Sequence, residues 1–421
     1  MKTRQRFRRP LTLWTLLFSL LVLPAACVPV DFETPALGTV VVGSGEDIHI
    51  RSLGALTRVG DLGVPSQRGV ALAIADYGPI KGHNVTMGAG IDSLCSAHGG
   101  AAAAETVTGD ARVVGVIGTS CSVAAAAASP ILSQAGLVMV APSTTSPSLT
   151  SDLRGSAGSN HYAGYHRTAS NDLYQAQAVA DFVYNELELR NMAAIHDGDP
   201  YTLGLVTAFT AAFEELGGSV AVAAINKGDT DMLPVLTQLA QGNPDGLFIP
   251  IFPEEAEHIL QQSQQVDALA GLARIGGGGL LVSDFLAIPE SEGIYFAGPE
   301  LDFGGNVNEA TGRSGEELIA AYHEQYNEGP TSAYLAHAYD ATTLLLRAIE
   351  EVAVVQGDTL YIDRAKLRAA VTGTSGFSGI IGTLSCDEFG DCGTGRVQIT
   401  HHTDSSMPDV EGLPVVYRYA P

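Results

Sequence analysis

Basic residues are scarce: 22 Lys and Arg stand against 46 Asp and Glu in 421 residues, a formal charge of −24. Residues 1–26 hold five of those bases and no acid, so a chain without them falls by five to −29. That sign argues against a nucleic-acid partner and against a basic face lying on anionic lipid. Cysteine is sparse too, with 5 in the chain and no CxxC or Cys/His spacing of the kind that holds zinc. Gly118-Thr119-Ser120-Cys121-Ser122 lacks the closing glycine of a nucleophile elbow, and HExxH is absent. The glycine run 276–279 reads as a loop, because no strand-to-helix context makes it a dinucleotide fingerprint. His401 and His402 fall in a polar loop and read as solvated rather than metal-ligating. No catalytic residue, metal or cofactor is expected, and the chain does not read as an enzyme.

The basic stretch Lys2 to Arg9, the apolar run Leu11–Leu23 and the small residues before Cys27 form a secretory signal over residues 1–26. The run is short for a permanent membrane span. Its end resembles a bacterial lipoprotein signal, in which Cys27 takes lipid and becomes the mature N-terminus; Leu23 sits one position further from the cysteine than usual. Residues 27–38 then form a tether. Export permits disulfides. With Cys27 set aside, Cys95, Cys121, Cys386 and Cys392 allow three pairings. The short 386–392 loop suits a local bridge, and a Cys95–Cys121 bridge would then join two neighbouring strand ends.

What the chain has in quantity is small apolar residues in alternating strand and helix patterns. The stretch 113–147 runs strand, hydroxyl-bearing turn, Ala-rich helix, strand, second hydroxyl-bearing turn. Val113, Val114, Val116 and Ile117 suit a parallel strand buried on both faces. Turns at the carboxyl ends of neighbouring parallel strands are where open α/β sheets bind ligands, and a helix N-terminus there favours a carboxylate. A first strand is expected at 40–48, helices at 67–77 and 99–107, and a strand at 85–91. Residues 150–164 are Gly- and Ser-rich and read as a crossing between domains, and the alternation restarts with a helix over 172–188. The reading is α/β, two mostly parallel sheets flanked by helices, about 390 residues in two domains.

Several segments in order resemble the branched-chain amino acid-binding proteins of ABC importers, with the type I periplasmic-binding-protein fold. They are GVALAIADYGPIKGHNV (69–85), VVGVIGTSCSVAAAAASPIL (113–132), MVAPSTTSPSLT (139–150), AAIHDGDPYTLGLVTAF (193–209), GDTDM (228–232), SAYLAHAYDATTLL (332–345) and GIIGTLSCDEFGD (379–391). The resemblance implies two lobes joined by three crossings, with residues 39–165 plus 299–375 in the first and 166–298 plus 376–421 in the second. It implies a ligand held by Ser122, Ser143, Thr144 and Thr145 of the first lobe, closed over by Tyr201, Phe252 and Tyr334. It also implies a first-lobe disulfide at Cys95 and Cys121.

Two positions depart from the family pattern. Gly278 stands where the family places an acid against the ligand's ammonium, and Val59 where an aromatic is common. An unpaired buried ammonium is expensive, so Asp197, Glu254, Glu255 or Asp284 is expected to substitute, or the ligand lacks an ammonium. The function expected is an extracytoplasmic, lipid-anchored, monomeric substrate-binding protein that delivers a branched-chain or other hydrophobic amino acid to an ABC permease. The alternatives are a binder of a keto acid, aromatic carboxylate or amide, and a ligand-sensing module of the same fold.

Overall fold

The computed structural model describes residues 37–421; the expected signal over residues 1–26 and the expected lipid site at Cys27 lie outside the described residues. A first sheet runs in the order Val85–Thr86, Ile48–Gly54, Val113–Gly118, Val138–Ala141, Tyr165–Arg167, with parallel neighbours throughout. Every residue of its two middle strands is buried, as the β-branched run at 113–117 demands of a strand covered on both faces. Gly118 ends that strand with a φ of +138°, and a Cβ there would lie 2.1 Å from the Leu53 carbonyl oxygen. Only glycine fits both demands.

The second sheet is ordered Val415–Tyr419, Val397–His401, Ile294–Pro299, Ala273–Gly276, Gly246–Ile249, Asn191–His196, Ser219–Ala224. Its first two strands are antiparallel additions from the tail. Residues 172–188, expected as one helix, are α-helical over Asp172–Asp181 and then widen into a π-turn at Phe182–Glu186.

Several expectations are corrected. Thr39–Val42 does not open the first sheet; it pairs antiparallel with Thr359–Asp363 in a separate three-stranded ribbon. The strand expected at 85–91 is two pieces of two residues, Val85–Thr86 and Ile91–Asp92, with Gly88 and Gly90 between them weakening any continuous ladder. The 150–164 segment is no crossing, because it precedes Tyr165–Arg167, which is still in the first sheet. The chain crosses between Arg167 and Asp172 instead. The hairpin Phe377–Leu384 belongs with the first lobe, not the second: Phe377, Ile380 and Leu384 pack in the core of the Leu335–Val352 helix. His402 is 1% exposed, with its Nε2 2.9 Å from the Leu286 carbonyl oxygen, and His401 stacks on Tyr295. His402 is buried and His401 half-buried, at the end of the strand Val397–His401 rather than in a loop.

Candidate ligand-binding cleft

Two turns at the ends of adjacent strands form one wall of a cleft. The helix Ser122–Gln134 starts directly after Cys121, and the Ser122 hydroxyl accepts from the Ser146 N–H at 3.3 Å, tying the turns together. Ser143 donates its hydroxyl to the Ser120 carbonyl at 3.2 Å. Thr145 lies on the same turn, 6% exposed. Thr144 departs from expectation: its hydroxyl meets that of Tyr165 at 2.6 Å, fully buried, so it faces the first core and supports the wall from behind.

Opposite, Asp199 caps the Pro200–Glu215 helix by accepting the Tyr201 N–H at 2.9 Å. This cap fixes the first turn and aims Tyr201 at the glycine run of its own lobe, where its hydroxyl accepts from the Gly279 N–H at 3.2 Å. The Phe252 ring lies 5.7 Å from that of Tyr201. Tyr334, immediately before the Leu335–Val352 helix, reaches the glycine run from the first lobe. A Cβ on Gly277 would sit 2.4 Å from the Tyr201 hydroxyl, and one on Gly278 would sit 2.7 Å from the Tyr334 hydroxyl. The run is a backbone wall on which two phenols close, and an acid at 278 would displace one of them.

Asp172 and Gln175 are absent from the sequence-based site. The Asp172 N–H donates to the Thr145 carbonyl at 2.9 Å, which holds this first residue of its helix directly behind the wall. Its side chain is fully buried, and neither carboxylate oxygen has a hydrogen-bond partner among the described residues; Gln175 Nε2 is likewise unpartnered. Burial pushes the Asp172 carboxyl up to about 7; the nearby Thr145 hydroxyl, which falls short of hydrogen-bond geometry, and Arg167 pull it down, and Asp199 pushes it up. Its charge also bears on Tyr201 and Tyr334, both raised mainly by burial. In sequence, Asn171-Asp172 at a helix start reads as a cap, and Asn171 does cap the Leu173 N–H at 3.1 Å. That ordinary reading hides the second acid.

The four acids expected to substitute for the one missing at 278 lie elsewhere. Asp197 accepts from the Thr202 hydroxyl, and Glu255 from the Gly228 N–H at 2.8 Å. Glu254 pairs with Arg58 at 3.2 Å across the cleft mouth, where Asp284 also lies. Arg167, fully buried, braces the wall: its guanidinium donates to the Ser146 carbonyl at 2.8 Å, the Thr144 carbonyl at 3.3 Å and the Thr150 hydroxyl at 2.6 Å, and pairs with Asp391. Asp391 sits in the loop closed by the Cys386–Cys392 disulfide, and Cys95–Cys121 is the second bridge. Among the described residues no group of three metal-ligating side chains occurs, and no helix is long and apolar enough to cross a membrane.

Two parallel-rich sheets, with buried hydroxyl-bearing turns at the strand ends of the first and the buried rings of Tyr201 and Phe252 in the second, have the architecture of the two-lobed class of small-molecule-binding proteins. A family model described as periplasmic binding protein matches residues 56–399. The chain belongs to that family. It is 28% identical to a Leu/Ile/Val-binding protein homolog of Brucella melitensis over 79% of this chain and 84% of that one. It is also 28% identical to a leucine-, isoleucine-, valine-, threonine- and alanine-binding protein of Pseudomonas aeruginosa, over 80% and 84%. A leucine-binding protein of Thermotoga maritima shares the fold with a TM-score of 0.75 at 24% identity, covering 89% of this chain and 99% of that one. A solute-binding protein of R. palustris in complex with benzoate does so with a TM-score of 0.70 at 16% identity, covering 89% and 97%.

Proposed function

We propose that this protein captures an α-amino acid in the cleft and presents it to an ABC permease. The observation that carries the reading is the fully buried, unpartnered Asp172 carboxylate behind Thr145, a counter-charge for an ammonium that compensates for Gly278. Ser122, Ser143 and Thr145, with the N-terminus of the Ser122–Gln134 helix, take the carboxylate. Tyr201, Phe252 and Tyr334 close over the stem of the ligand. Relatives that bind leucine, isoleucine and valine support an amino acid with an apolar stem. Export and lipid anchoring at Cys27 keep the monomer beside its permease, outside the cytoplasm, with closure around the ligand as the signal for delivery.

A second reading, a carboxylate without an ammonium, draws on Gly278 itself and on the fold shared with the benzoate-bound protein. A thermal-shift screen of the chain from residue 28 separates the two. Aliphatic amino acids are expected to raise the melting temperature, and their keto acids to leave it within error. Ser122→Ala combined with Thr145→Ala should abolish the shift; unchanged affinity in the double variant rules out this wall as the carboxylate site.

A further inference from the structure

Beside Phe252 lies a cavity of about 320 Å³. It adjoins the amino-acid cleft through two shared walls: Cys95, bridged to the Cys121 that precedes Ser122, and the Phe252 ring next to Tyr201. We propose that this cavity is a side-chain subsite for an α-amino acid longer than leucine, with an apolar stem and a cationic or N–H-donating end. The proposal rests on the amino-acid reading of the cleft.

The cavity's apolar lining includes Val59, Cys95, Phe252 and Phe285. Its wall also carries four carboxylates, Glu254, Glu255, Glu257 and Asp284, against two cations, Arg58 and Lys227. Both cations are already engaged: Arg58 by Glu254 at 3.2 Å, and Lys227 by buried Asp199 at 2.6 Å. Among the described residues, Glu255, Glu257 and Asp284 have no cationic partner. Glu255 is 3% exposed and gives one oxygen to the Gly228 N–H. An anionic ligand end would meet unbalanced like charge here, and a purely apolar one would strip water from carboxylates without replacing its hydrogen bonds. A donor restores them.

Val59 sets the length that fits. It lines this cavity and a neighbouring one of about 410 Å³ on its other side, so a branched three-carbon side chain leaves open what an indole would fill.

The test is calorimetric titration of the chain from residue 28 with arginine, lysine, norleucine and leucine. Arginine or lysine is expected to bind at least about tenfold tighter than leucine and norleucine. Val59→Trp should weaken the long cationic ligand about tenfold more than it weakens leucine, and Val59→Leu should do the same to a smaller extent if the indole prevents folding. Norleucine binding as tightly as lysine overturns the donor-accepting wall. Leucine binding as tightly as all three, or a preference untouched by both Val59 variants, overturns the subsite while leaving the amino-acid site intact. Failure of every α-amino acid to bind counts instead against the amino-acid reading itself.

Discussion

At the scale of single residues, Asp172 carries the chemistry. A carboxyl raised to about 7 is protonated in much of the ligand-free protein below neutrality, and only its ionised form pairs with an ammonium. Amino-acid affinity should therefore climb with pH up to about 7 and level off above, with a limiting slope of about tenfold per pH unit. Asp199, which also bears on Asp172, is itself raised by burial while Lys227 holds it down, so the profile is read against that of Asp172→Asn. Arg167 stays charged, and Tyr201 and Tyr334 are raised away from that pH window. The buried His166 and His337 are lowered to about 4 and remain neutral. Asp172→Asn should flatten the profile and weaken amino acids while sparing a keto acid, read by titration at pH 5.5 to 8. The sign for stability is opposite. A carboxyl raised in the fold favours the folded state at low pH and loses that contribution between about 4 and 7, so wild type should lose stability relative to Asp172→Asn as pH rises. A profile identical in wild type and variant would remove Asp172 from the site.

Among elements, the loop 386–392 acts at a distance through one arginine. It accepts the Arg167 N–H at Gly390 and donates the Cys392 N–H to Arg167's carbonyl, at 2.9 and 3.0 Å. It also places Asp391 against the buried guanidinium. Asp391→Ala would leave that guanidinium charged and unpaired, at a cost of about 3–5 kcal/mol. It would also loosen the Thr144 and Ser146 carbonyls, and with them the carboxylate wall. Denaturant unfolding and ligand titration should both register the change; a stability loss under about 1 kcal/mol would show that the brace is dispensable. In sequence, 379–391 is visible as a family-like segment, but nothing in its spacing reveals that it reaches 224 residues back to Arg167, which holds the 144–146 turn.

On the scale of the whole molecule, closure joins two cores. Ala55, Leu62, Cys95 and Cys121 from the first lobe pack into the same apolar cluster as Tyr201, Phe252 and Leu280 of the second. Separating the lobes would expose this surface, so a ligand that bridges them shifts the population toward the closed form. Small-angle scattering should show a smaller radius of gyration on adding ligand, and no contraction at saturating ligand would count against capture by closure. The Arg58–Glu254 pair at the mouth is half exposed on both sides and adds little, roughly 0–1 kcal/mol.

The amino-acid order alone determined the α/β class, the two hydroxyl-bearing turns and the helix faces, because burial on both sides of a strand and one side of a helix leaves a local pattern of period two or three to four. The two disulfides form as expected, Cys386–Cys392 from its short loop and Cys95–Cys121 from the family resemblance. Only the tertiary structure decided that the glycine run is a wall, that Thr144 turns inward, that 150–164 stays within the first lobe, and that Asp172 lies behind Thr145. Each depends on which side chain from a distant segment fills the space beside a backbone, and no local spacing records that.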